Sequence, residues 1–153
     1  MINLTTPDKG LYEQDLALWF ANTITQLKTG DFEQIDIKHL VEEIEGLAGR
    51  DRRELQNRLK VLLAHLLKRI YVDSSYDFRG WENTIREQRD ELLVLLEQSP
   101  SLKSYFSEVF DNAWQRALTD VRANYPEVIF PDKWHFDRDV ETILTGEFLC
   151  NQL

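Results

Sequence analysis

Residues 52–71 read RRELQNRLKVLLAHLLKRIY. In this stretch Leu55, Leu59, Leu62, Leu63, Leu66, Leu67 and Ile70 recur every three or four positions. That is the spacing of one face of an α-helix, and no strand alternation competes with it. Working outward, the residues just before the stretch read as a helix start. Asp51-Arg-Arg-Glu54 has the spacing of a capping box, in which an acidic side chain three residues on reaches back to the cap. Gly49 is suited to the left-handed residue that closes a preceding helix. The pattern therefore predicts a break or sharp kink at Gly49–Asp51. One continuous helix is the alternative, because a glycine costs only about 1 kcal/mol inside a helix.

The same period extends in both directions. Upstream, Asp36 is placed to cap a helix carrying Leu40, Val41, Ile44, Leu47 and Ala48, with residues 31–35 as connector. A further helix is expected over Leu11–Thr29, with apolar positions at Leu11, Leu16, Leu18, Trp19, Ile24 and Leu27. Thr6-Pro7 is its start signal and Gly30 its stop. Downstream, residues 73–80 (DSSYDFRG) read as a loop and residues 81–97 as a helix. Ser99-Pro100 is a start signal for a helix bearing Leu102, Phe106, Val109, Ala113, Ala117 and Val121, which ends before Pro126. Residues 127–136 are irregular and aromatic, and a last short helix spans residues 137–145 before Gly146. The class is all-α: an antiparallel helical bundle of about five to six helices in a single domain, with its core between residues 11 and 148. Leu59, Leu62, Leu66, Ile85, Leu92, Phe106, Val109, Ala113 and Ala117 are expected to be buried.

Composition agrees with a globular chain. Of 153 residues, 42% are hydrophobic and 29% charged, with six glycines and four prolines. A net charge of −9 repels phosphate backbones, so nucleic-acid binding is disfavoured. Cys150 is the one cysteine, which excludes an internal disulfide and a cysteine-rich zinc site. The segment MINLTTPDKG has neither the basic nor the apolar region of a signal peptide. No apolar run approaches the roughly 20 residues a bilayer requires. A cytoplasmic protein without a membrane segment is expected.

Few residues carry recognisable chemistry. There is no phosphate-binding glycine loop, no His-Glu-x-x-His and no nucleophile elbow. Glu42, Glu43 and Glu45 with His39 and His65 lack the paired Glu-x-x-His of di-metal bundles, so no metal site is assigned. His39 and Glu43 share a helix face, as many i,i+4 pairs do. The strongest grouping is a polar seam of Glu42, Glu45, His65, Arg86 and Arg89. Glu45 and Arg89 flank apolar faces and are expected to meet across helices, with His65, beside the leucine stripe, close to Arg86 or Glu87. Arg50, Arg52, Arg53, Arg58, Lys60, Lys68 and Arg69 form a basic run after an acidic one, which favours mutual neutralisation. Tyr105, Phe106, Phe110 and Trp114 read as core, with a partner-binding groove as the alternative.

Several short stretches together resemble a known family. They are Leu11-Tyr-Glu-Gln-Asp-Leu16 with Trp19, Leu40-Val-Glu-Glu-Ile-Glu45, and Leu62-Leu-Ala-His-Leu-Leu-Lys68. Trp81 with Thr84-Ile-Arg-Glu-Gln-Arg89, Ser99-Pro-Ser-Leu102 and Phe130-Pro131 complete the pattern. The chain resembles the bacterial, largely cyanobacterial, domain-of-unknown-function family 29 over residues 11–148. The resemblance implies an all-α cytoplasmic domain and supplies no reaction, cofactor or catalytic residue. The reading is therefore a non-enzymatic interaction or regulatory module, with a protein partner or self-association. An enzyme or metal-binding protein using the Glu/His/Arg seam is the first alternative. A nucleic-acid-linked regulator using the Arg50–Arg69 face is the second.

Overall fold

The computed structural model describes the backbone of residues 6–147 and the side chains of residues 10–147. Cys150 and Phe148 lie outside them. Six α-helices and one short 3-10 turn are present among the described residues, and no strand. They are α1 (Thr6–Gln14), α2 (Leu16–Thr29), α3 (Ile37–Tyr71), α4 (Ser75–Gln98), α5 (Leu102–Asn124) and α6 (Val140–Thr145), with the 3-10 turn at Phe32–Gln34. The chain falls into two compact units, residues 1–49 and 50–153.

In the first unit, the helix expected over Leu11–Thr29 is divided at Asp15. Its backbone is extended there (φ −150°, ψ 88°), and its carboxylate accepts from the Leu18 amide at 3.0 Å. A side-chain acceptor at this position serves an amide that the interrupted ladder would leave open, which is why an aspartate can start a helix inside an apolar pattern. Gly30 closes α2 in the left-handed region (φ 76°), with its amide reaching Gln26 and Leu27.

α3 is one unbroken helix from Ile37 to Tyr71, so the break expected at Gly49–Asp51 is absent. Gly30 is the one positive-φ glycine among the described residues. No proline interrupts residues 37–71, and residues on both sides of Gly49 are good helix formers. Two glycines cost less than giving up the hydrogen bonds of a turn, so the local capping signal loses.

The second unit holds the core. Helices α4 and α5 follow α3 through connections of three residues each, 72–74 and 99–101, which set successive helices antiparallel. α4 begins at Ser75, so most of the loop expected over residues 73–80 is helical. The cue is Ser74-Ser-Tyr-Asp77: Asp77 lies in the first turn, and its amide donates to the Ser74 carbonyl at 3.0 Å. Start signals at Ser99-Pro100 and Asp137 anticipate their helices by two to three residues; α5 begins at Leu102 and α6 at Val140. The nine residues expected to be buried are so, from Leu59 (0% exposed) to Val109 (6%), whereas Tyr105, also read as core, is only partly buried. Leu55, Leu63, Leu67, Phe110, Trp114, Phe130 and Ile143 join them. Val128, Trp134 and Phe136 of the irregular segment lean on this core, and Trp114 Nε1 donates to the Asp132 carbonyl at 3.1 Å. The aromatics of α5 and of residues 125–136 therefore cover the chain's own core rather than line a groove.

Candidate functional site

The first unit contains the most polar clustering. Asp36 stands at the head of α3, where its Oδ1 accepts from the His39 amide at 3.3 Å and its Oδ2 from His39 Nδ1 at 2.5 Å. Asp36 thus caps the helix through its side chain, and the His39 ring holds the other carboxylate oxygen. The His39 ring stacks on Tyr12 at 3.9 Å between centroids and 19° between planes. The Tyr12 hydroxyl donates to Glu43 Oε1 at 2.6 Å, one turn further along α3. Trp19 packs edge-on against both Tyr12 and His39 and is 1% exposed.

The electrostatics follow from these contacts. The hydrogen bond to Glu43 keeps the Tyr12 proton in place; with burial and the charges of Glu43, Glu42 and Asp36, it pushes the phenol up to about 12. Burial opposes ionisation of Asp36, but the His39 ring, its amide, its charge and the Trp19 indole together hold the carboxyl below its ordinary value. The Trp19 Nε1 is the one buried side-chain nitrogen or oxygen of the described residues with no hydrogen-bond partner. The cluster ties α1 to the start of α3. It holds a paired imidazole and carboxylate, His39 and Asp36.

The residues expected to form a seam are distributed between the units. Glu42 and Glu45 are exposed on α3 in the first unit. His65, Arg86 and Arg89 belong to the second. His65 Nδ1 donates to the Val61 carbonyl at 2.8 Å, leaving Nε2 to accept from Lys68 Nζ at 3.3 Å. Burial, aided by the Lys68 charge, draws the His65 pKa below its ordinary value. Lys68 is itself drawn down by burial and lies 5.6 Å over the Trp81 ring. Arg86 is exposed and bonds Asn83 on its own helix. Arg89 is half-buried, donating from Nε to the Ile143 carbonyl at 3.1 Å and from Nη2 to the Gly146 carbonyl at 2.7 Å. These two bonds serve carbonyls at the end of α6 that the helix cannot satisfy itself. Beside α6 lies a groove of about 670 Å³ with Leu93, Leu96, Pro100, Val140 and Leu144 in its lining.

The basic run is threaded with partners. Arg58 pairs with Glu54 and Glu91, Lys60 with Asp120, and Arg69 with Glu82. Among the described residues, no group of three or more His, Cys, Asp or Glu is placed to hold a metal ion, and no helix is long and apolar enough to cross a membrane.

The feature that the sequence hid is apolar. Thirteen large hydrophobic side chains of the described residues are exposed, and ten of them fall between residues 16 and 47. Leu16, Phe20, Ile24 and Leu27 form one stripe of α2; Ile37, Val41 and Ile44 form one on α3. The periodicity that places them on shared faces is the same one that the buried leucines of residues 55–67 follow.

A family model described as a domain of unknown function, DUF29, matches residues 11–149. No curated protein and no solved structure matches the chain.

Proposed function

Since the chain belongs to the DUF29 family, whose name carries no activity, we propose its role from its own surface: a non-enzymatic cytoplasmic module that binds another macromolecule through the apolar stripes of α2 and early α3. One observation carries this reading, the concentration of ten exposed large hydrophobics in residues 16–47. Single exposed apolar residues are ordinary, whereas a run of them at helical spacing marks an interaction surface. Glu42 and Glu45 then act as the polar margin of that surface rather than as catalytic groups. The test is a photo-crosslinking amino acid placed at Ile24, at Ile44, or at the exposed Val94 of α4, in the chain expressed in its own cell. The same crosslinked partner is expected at Ile24 and Ile44 and not at Val94. Equal labelling at all three positions, or none, would remove the reading.

A further inference from the structure

We infer that the partner presents a basic amphipathic helix to these stripes. The inference rests on the interaction reading above and adds the chemistry of the occupant. The α2 anchors are spaced i, i+4, i+8 and i+11, a length of about 16 Å along the helix, which matches the three or four apolar anchors a docked helix supplies. Charge then selects among occupants. Residues 1–49 hold nine Asp and Glu against three Lys and no Arg, a net charge of −6 out of the chain's −9.

On α3, Glu45 lies four residues beyond Val41 and Glu42 three before Glu45, so two exposed carboxylates run beside the apolar stripe. Asp36 and Glu43 are engaged with His39 and Tyr12 and are not part of that margin. A second copy of the chain would bring −6 against −6, and like charge across an interface is strongly disfavoured. Nucleic acid and an anionic membrane surface meet the same repulsion. A basic segment without an apolar stripe would leave Phe20, Ile24 and Ile44 uncovered. A helix with apolar residues on one face and Lys or Arg on its flanks matches an apolar stripe set in the acidic surface of residues 1–49.

The experiment uses the full chain and three labelled helical peptides of about 18 residues. One carries a leucine stripe with lysine elsewhere, one the same stripe with glutamate, and one the lysine composition with the stripe scrambled. Fluorescence anisotropy should show the lysine helix binding about tenfold or more tighter than either control, with affinity falling as salt is raised. Phe20→Ser with Ile24→Ser should weaken it about tenfold, and Glu42→Gln with Glu45→Gln should weaken it and flatten its salt dependence. Circular dichroism and melting curves show whether each variant is folded; if the serine pair is not, Ile24→Ser alone and the glutamine pair carry the test. Binding of the glutamate helix as tightly as the lysine one would overturn the basic partner while leaving the interaction reading standing. So would a dimer in sedimentation equilibrium that Ile24→Ser dissolves. Unchanged affinity in the serine variants, with no crosslink at Ile24 or Ile44, would remove both.

Discussion

α3 carries two kinds of surface along one helix. From Leu55 to Leu67 its leucines are sealed, with Leu55, Leu59, Leu62, Leu63, Leu66 and Leu67 all at 0% exposure. From Ile37 to Leu47 residues of the same kind stand open, with Val41 at 46%, Ile44 at 57% and Leu47 at 59%. The second unit brings two further long helices, the short α6 and an aromatic segment against its stripe. Among the described residues the first unit offers α1, α2 and a single 3-10 turn, and those buried there are Trp19, Thr23 and Ile35. Hydrophobic spacing thus states which residues share a face, and the supply of neighbouring elements determines whether that face is core or surface. The charge follows the same division, since the open unit holds most of the net negative charge.

The largest effect should come from the sealed stripe. Leu62→Ala removes a fully buried side chain and should cost about 3 kcal/mol in denaturant unfolding. Ile44→Ala, on the open stripe of the same helix, should stay within about 0.5 kcal/mol. Equal losses at the two positions would break the comparison.

Arg89 comes next. Arg89→Met deletes both bonds to the carbonyls of Ile143 and Gly146 and should cost about 2 kcal/mol. Arg89→Lys should recover only part of it, because a compact ammonium does not reproduce the fork that reaches two carbonyls. Amide exchange at residues 143–146 should accelerate in both variants, and an unchanged rate would deny Arg89 its role at the end of α6.

Acidification separates the units by pH window. The folded pKa of His65 lies below the ordinary 6.5, so between the two values the unfolded chain binds the extra proton. Stability of the second unit should therefore fall as pH drops through 6.5 toward the folded value, by at most about 1.4 kcal/mol per pH unit. His65→Gln should flatten that slope. In the first unit the folded pKa of Asp36 lies below 3.8, so its contribution is present above 3.8 and is lost as pH falls through the folded value. Region-resolved hydrogen exchange across pH would reveal whether the two losses separate in this order.

The smallest effects belong to glycines. Gly46 in α3 and Gly80 in α4 have open space where a Cβ would stand, so each change to alanine should stabilise by up to about 1 kcal/mol. Gly30→Ala should destabilise by about 1 kcal/mol, because its φ of 76° is strained for any side chain. A fall in melting temperature for Gly46→Ala would show that a Cβ is not tolerated at that turn of α3.

Much of this molecule is a local property of the chain. The helical class, the core face of residues 55–121, the Gly30 stop and the Asp36 cap follow from spacing and from backbone groups that need nearby partners. Asp15 was legible in principle, since it precedes a run of amides that its carboxylate caps; Gly49 misled because a capping signature does not outweigh an otherwise continuous hydrogen-bond ladder. The Tyr12–His39–Asp36–Glu43 cluster was only half visible, as the Asp36 cap and the His39/Glu43 pair, because Tyr12 reaches Glu43 across 31 positions of sequence. Whether the stripes of α2 and early α3 were core or surface could not be read at all. A stripe records the free energy available from burial, and only the tertiary structure decides whether another part of the chain arrives to collect it or the surface is left for a partner.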